Sequence, residues 1–109
     1  MKMALQYWRN KGKNAKKEFV SLQHGYHGDT IGAMSVGYIE NFFGAYKPLL
    51  TTVHRVPSPL LYGSRFENEG DLVEWCLEKT ERVLKKRGSK CAALVMESGA
   101  QVAGGTIIY

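Results

Sequence analysis

Glu18-Phe19-Val20-Ser21-Leu22-Gln23-His24-Gly25-Tyr26-His27-Gly28-Asp29-Thr30-Ile31-Gly32-Ala33-Met34-Ser35-Val36-Gly37 is the stretch that decides the fold. It opens on a short apolar run that reads as a buried strand. Two glycines then bracket an aromatic and an imidazole, and a carboxylate follows. Glycine permits tight turns and close approach of a ligand to the backbone. From Ile31 to Val36 the chain reads as a short helix. Its small residues Gly32, Ala33 and Ser35 allow close packing, and Asp29 or Thr30 is available as N-cap.

Upstream, Met1, Ala4, Leu5 and Trp8 fall on one helical face, and Gly12 is placed to end that helix. The chain begins inside this helix, with no cap before it. Downstream, residues 41–46 read as an aromatic loop or helical turn ended by Pro48. Residues 51–56 are β-branched and strand-like, and Pro57-Ser58-Pro59 opens a loop that reaches Arg65. Asn68 is a good N-cap for a helix running to about Arg87. Its apolar side is Leu72, Val73, Cys76, Leu77, Val83 and Leu84, and Gly88 stops it. Residues 91–96 form a continuous apolar run, as expected of a strand covered on both faces. Residues 106–109 are apolar again. Alternating helices and buried strands mean an α/β fold with a mainly parallel sheet.

The chain has 109 residues, enough for one small domain, and a hydrophobic content of 44%, neither disordered nor fibrous. No apolar stretch approaches the ~20 residues of a membrane span. Lys2 has no apolar core behind it, so no signal peptide is expected. Cys76 and Cys91 lack metal-ligand spacing and read as buried thiols of a cytoplasmic protein. Within the net charge of +5, Lys2, Arg9, Lys11, Lys13, Lys16 and Lys17 all precede the first acid. A nucleic-acid patch is one reading, and a solvated helix end and loop is the other. No aromatic-rich RNA motif or helix-turn-helix pattern accompanies the charge, which favours the second reading and no nucleic-acid partner.

In parallel sheets, ligands gather at the carboxyl ends of the strands. Residues 24–30 and 97–105 both lie just past predicted strands and could share one site. Tyr26 could stack on a planar ligand or pack under the turn. His27 could be a general base, a phosphate ligand or a structural residue. Asp29 could hold a substrate amine or cap the next helix. Glu97 is a carboxylate placed at the ligand edge. His54 reads as structural. Metal patterns, a phosphate-cradling GxxxxGK[ST] and a GxSxG elbow are not present in the sequence.

The string MALQYW at residues 3–8, then YHGDT and IGAMSVG, resembles the class III aminotransferases, fold-type-I enzymes that use pyridoxal 5'-phosphate. Tyr46-Lys47-Pro48-Leu49-Leu50, Pro57-Ser58-Pro59, and Ala93-Leu94-Val95-Met96-Glu97 with Gln101 four residues on also match. Ser98 and Val102 stand where the commoner pattern has proline and glycine. The resemblance spans essentially the whole chain. It implies that residues 1–109 are part of the large cofactor domain, with covering helices on a mainly parallel sheet. It implies cofactor contacts from Tyr26, His27, Gly28 and Glu97. Tyr26 would stack on the pyridine ring, His27 and Gly28 would shape the turn, and Glu97 would lend support nearby. Tyr26 and Asp29 would face the substrate. It further implies a homodimer that transfers an amino group between small-molecule substrates. YHGDT followed by GAMSV points to the biotin branch of the family, with S-adenosylmethionine as donor and 8-amino-7-oxononanoate as acceptor. Lysine as donor, or another class III transfer, is the alternative. The reactive lysine, the acid at the pyridine nitrogen and the phosphate cradle are expected outside this stretch, which leaves it no catalytic residue and no activity alone. The readings from other classes are a non-catalytic relic and a small basic nucleic-acid binder.

Overall fold

The first strand, β1 (Glu18–Leu22), lies between two others, and its side chains from Phe19 to Leu22 are all buried. The computed structural model describes residues 1–101, 103, 107 and 108. Along the chain come α1 (Lys2–Asn10), β1, α2 (Ile31–Val36), α3 (Glu40–Phe43) and a 3-10 helix (Gly44–Leu49). They are followed by β2 (His54–Val56), α4 (Glu69–Arg87), β3 (Cys91–Val95), β4 (Ala100–Gln101) and β5 (Ile107–Ile108). The main sheet has the order β2-β1-β3, and both pairings are parallel. A parallel ladder needs crossovers, and helices supply them here.

Alternate residues of β1 face opposite sides of the sheet. Val20 and Leu22 join Val56 and Cys91, with Val83 of α4 against them. Phe19 joins Val36 and Val53, with Ala4 and Leu5 of α1 packed on. Helices therefore cover β1 from both sides, as the α/β reading requires. The Trp8 indole N–H donates to the Ala92 carbonyl at 2.8 Å and locks α1 to β3. Asn68 Oδ1 accepts from the Asp71 N–H at 3.0 Å and caps α4. Cys76 and Cys91 are buried free thiols, as expected.

Several local expectations change. Neither Asp29 nor Thr30 caps α2 through its side chain. Residues 41–46 are helical, and the 3-10 turn carries on past Pro48 to Leu49. Of residues 51–56 only His54–Val56 joins the sheet, and the Thr51 N–H goes instead to Ser35 Oγ at 3.0 Å. The run ending at Met96 is not covered on both faces, since Leu94 is 41% exposed and Met96 49%. An apolar run announces a strand, but coverage of each face depends on distant neighbours. Val102 and residue 106, with Tyr109, lie outside the described residues. Part of the early basic cluster folds back onto aromatic surface: Lys13 and Lys16 sit 5.5 and 4.5 Å from the Trp8 ring centroid. Lys16 also donates to the carbonyls of Gly88 and Cys91.

Candidate functional site

The turn after β1 is held in shape by three glycines. Gly28 has φ +112°, a conformation that side chains rarely adopt. Gly25 leaves room for the His27 imidazole, whose Nε2 lies 3.3 Å from where a Cβ would stand. Gly37, at the end of α2, backs the turn from behind. A Cβ there would lie 2.7 Å from the Gly25 carbonyl oxygen and 3.0 Å from the His27 nitrogen. His24 enters the left-handed region at φ 60°. Glycine spacing thus sets which side chains project from the strand end.

Tyr26 and Asp29 are brought together. The Tyr26 hydroxyl donates to Asp29 Oδ1 at 3.1 Å. That bond, then burial and the carboxylate's charge, raises the Tyr26 hydroxyl above the ordinary tyrosine range. Asp29 is therefore turned back on the tyrosine and away from the helix it was placed to cap. The Tyr26 ring also lies nearly parallel to Phe43, with centroids 6.1 Å apart and planes inclined by 15°.

His27 Nε2 is buried and has no hydrogen-bond partner among the described residues. Its ring lines a cleft of about 350 Å³ with Met1, Thr30, Gly32, Ala33, Val36 and Val95. Glu97 follows β3 directly and is half-buried, with Oε2 shielded from solvent. The parallel register Ser21↔Val95 puts Glu97 at the same edge of the sheet as the Tyr26 turn. His54, read as structural, bonds Glu18 Oε2 at 2.8 Å through Nε2.

A buried polar cluster at this edge was not singled out as part of a site from the sequence. Gln101 Nε2 donates to the Gln23 carbonyl at 2.8 Å and to Ser58 Oγ at 3.0 Å. Ser58 Oγ donates in turn to the Gln23 carbonyl. The ends of β1, β2 and the segment after β3 are pinned to one another through one carbonyl. The available signal was Ser58 between two prolines, which fix its backbone.

The geometry is a carboxyl-edge site with a glycine-cleared turn, a half-buried aromatic and two carboxylates. A family model for aminotransferase class III matches residues 1–109. This chain belongs to the class III aminotransferases. It is 45% identical, over its full length, to the adenosylmethionine-8-amino-7-oxononanoate aminotransferase of Aquifex aeolicus (strain VF5), covering 24% of that relative. It is similar to the crystal structure of the Methanocaldococcus jannaschii enzyme of the same name. The TM-score is 0.78 at 34% identity, with 99% of this chain and 22% of that one covered. An amine transaminase from an uncultivated Pseudomonas species, solved with PLP bound, gives a TM-score of 0.87 at 34% identity. The cover is 98% of this chain and 24% of that one. The class III chain thus spans about a quarter of the length of the curated relatives it matches. Its parallel sheet and helices are those of the corresponding piece of a fold-type-I domain. No described helix of this aminotransferase chain is long and apolar enough to cross a membrane.

Proposed function

We propose that residues 1–109 form one wall of a pyridoxal 5'-phosphate site, as part of the large cofactor domain of an aminotransferase. The enzyme would move an amino group from S-adenosylmethionine to 8-amino-7-oxononanoate and give 7,8-diaminononanoate for biotin synthesis. The observation that carries this reading is the Tyr26–Asp29 pair on the glycine turn, in a chain 45% identical to the Aquifex relative. A homodimer in the cytoplasm, acting on small molecules, completes it. The 109 residues alone would be inactive, because the reactive lysine is expected outside them.

The residues present fit such a cofactor. Tyr26 offers a half-buried aromatic surface, and the buried His27 Nε2 has a hydrogen bond left to make. Gly28 keeps side-chain bulk away from the turn. When bound, pyridoxal phosphate supplies an electron sink for the bonds around the substrate nitrogen. Tyr26 would stack on its ring, with the hydroxyl fixed by Asp29 so that the aromatic plane cannot swing. Asp29, exposed on its outer side, would present negative charge to a substrate amine. Glu97 would stand behind the site as a half-buried carboxyl group at the same sheet edge.

The test is a chimera in which these residues replace the corresponding quarter of the Aquifex enzyme. Turnover of S-adenosylmethionine with 8-amino-7-oxononanoate is expected. A folded chimera that takes up the cofactor yet cannot turn over that pair would sink the proposal. Lysine in place of S-adenosylmethionine as donor would revise the donor alone. A second reading, transfer from simple amines, is favoured by the match to the amine transaminase and would show as turnover of those donors alone.

A further inference from the structure

Beside β2, two cations lie over one aromatic ring. Arg55 Cζ lies 5.0 Å from the Tyr38 ring centroid, and Lys47 Nζ lies 6.0 Å from the same centroid. Arg55 is half-buried. Its Nη2 donates to the Ser35 carbonyl at 2.9 Å, and its Nε is buried with no partner among the described residues. Neither cation is in an ion pair with a carboxylate among the described residues. The neighbouring acid, Glu40, is engaged by the Tyr38 hydroxyl at 2.6 Å. A half-buried cation without a counter-charge is costly, and burial holds the Arg55 pKa below its ordinary value.

These groups line an open cleft of about 430 Å³, completed by Leu50, Thr51, Thr52 and Val53. Thr51 and Thr52 are exposed and precede β2. Their hydroxyls and the two cations supply donors of the kind that bind a small oxyanion. Arginine presents a planar fork to such a group, and lysine a mobile point charge. We propose that Lys47, Arg55, Thr51 and Thr52 form a binding site for a small anion bearing a phosphate or carboxylate group. The anion supplies the missing counter-charge and a partner for the Arg55 guanidinium.

The test is an NMR titration of the 109-residue chain with inorganic phosphate and, separately, with succinate. Potassium chloride holds ionic strength constant. Saturable shifts at the Thr51 and Thr52 amides and at Arg55 Nε–H are expected with at least one of them. Phosphate alone or succinate alone then names the anion class. Lys47→Met and Arg55→Lys should each weaken binding about tenfold, the loss typical of one charge-assisted contact. Lys47 is exposed, so its variant keeps the test valid even if Arg55→Lys disturbs the fold. Shifts no larger than those from chloride, or Lys47→Met binding equal to the parent, would overturn the site.

Discussion

The Tyr26 hydroxyl donates to Asp29 Oδ1 across three residues of the glycine turn, and the two side chains act as one group. The bond raises the Tyr26 pKa, so the folded chain keeps that proton where the unfolded chain would lose it. Its contribution to stability is complete below about pH 10 and fades as pH rises through the folded value. Asp29→Asn should therefore move the Tyr26 titration downward, toward an ordinary tyrosine. Ring NMR shifts followed against pH give the midpoint. An unchanged midpoint in the variant would show that the pair is not formed in solution.

Gly32, inside α2, and Gly37, just past its end, should respond oppositely to alanine. At Gly37 the added methyl would meet backbone atoms of the Gly25–His27 turn, which cannot rotate away. Gly37→Ala should destabilise by about 1–3 kcal/mol, the usual range for overpacking. At Gly32 the nearest atom is Met1 Sδ at 3.3 Å, the end of a flexible side chain. Gly32→Ala should be neutral or stabilising by up to about 1 kcal/mol, through helix propensity. Urea unfolding of the two variants gives the comparison. Equal losses at both positions would contradict the buttress.

The architecture was legible where the signal is local. The apolar face of α1, the β1 run, the Asn68 cap and the Gly88 stop each depend on neighbours a few residues away. That the Tyr26 turn and Glu97 share one sheet edge was also legible, because it needs only that β1 and β3 run parallel. What the sequence could not show depends on distant partners. Asp29 looks like a cap until Tyr26 claims its carboxylate. Thr51 looks like strand until Ser35 takes its N–H. Met96 looks buried until the face beside α4 is found open. Gln101 was visible only as a motif match, because its bond to Gln23 spans 78 residues.

Glu18 makes the sheet sensitive to acid. Its hydrogen bond with His54 lowers the carboxyl pKa from 4.5, burial opposes this, and Arg87, His54 and Lys90 lower it further by charge. Arg87 Nη1 stands 3.8 Å from the other carboxylate oxygen. A depressed carboxyl contributes stability above its unfolded value and loses it as pH falls through the folded one. Between neutral pH and about pH 5 this contribution should stay flat, and below that it should decline. Glu18→Gln should be less stable than the parent at neutral pH, with the gap narrowing on acidification. Parallel acid-dependent slopes for the two proteins would rule the ion pair out as the cause.

Gln101 and Ser58 should prove coupled. Gln101 is only 3% exposed, and its amide donates both to the Gln23 carbonyl and to Ser58 Oγ. Ser58→Ala removes an acceptor for that amide and a donor to Gln23, so buried groups are left short of partners. The expected loss is about 1–3 kcal/mol. Gln101→Leu removes the amide while filling much of the same space, and it leaves Ser58 still bonded to Gln23. Its loss should be the smaller of the two. Once Gln101 is leucine, Ser58→Ala no longer costs the amide an acceptor but takes the second side-chain donor from the Gln23 carbonyl, so the double variant should depart from the sum of the singles. A coupling of about 0.5–3 kcal/mol is the range for residues in one network. Strict additivity in urea unfolding would mean that the strand ends are held apart from this cluster. Coupling would mean that the segment after Glu97 is positioned through Gln23, one residue past the end of β1.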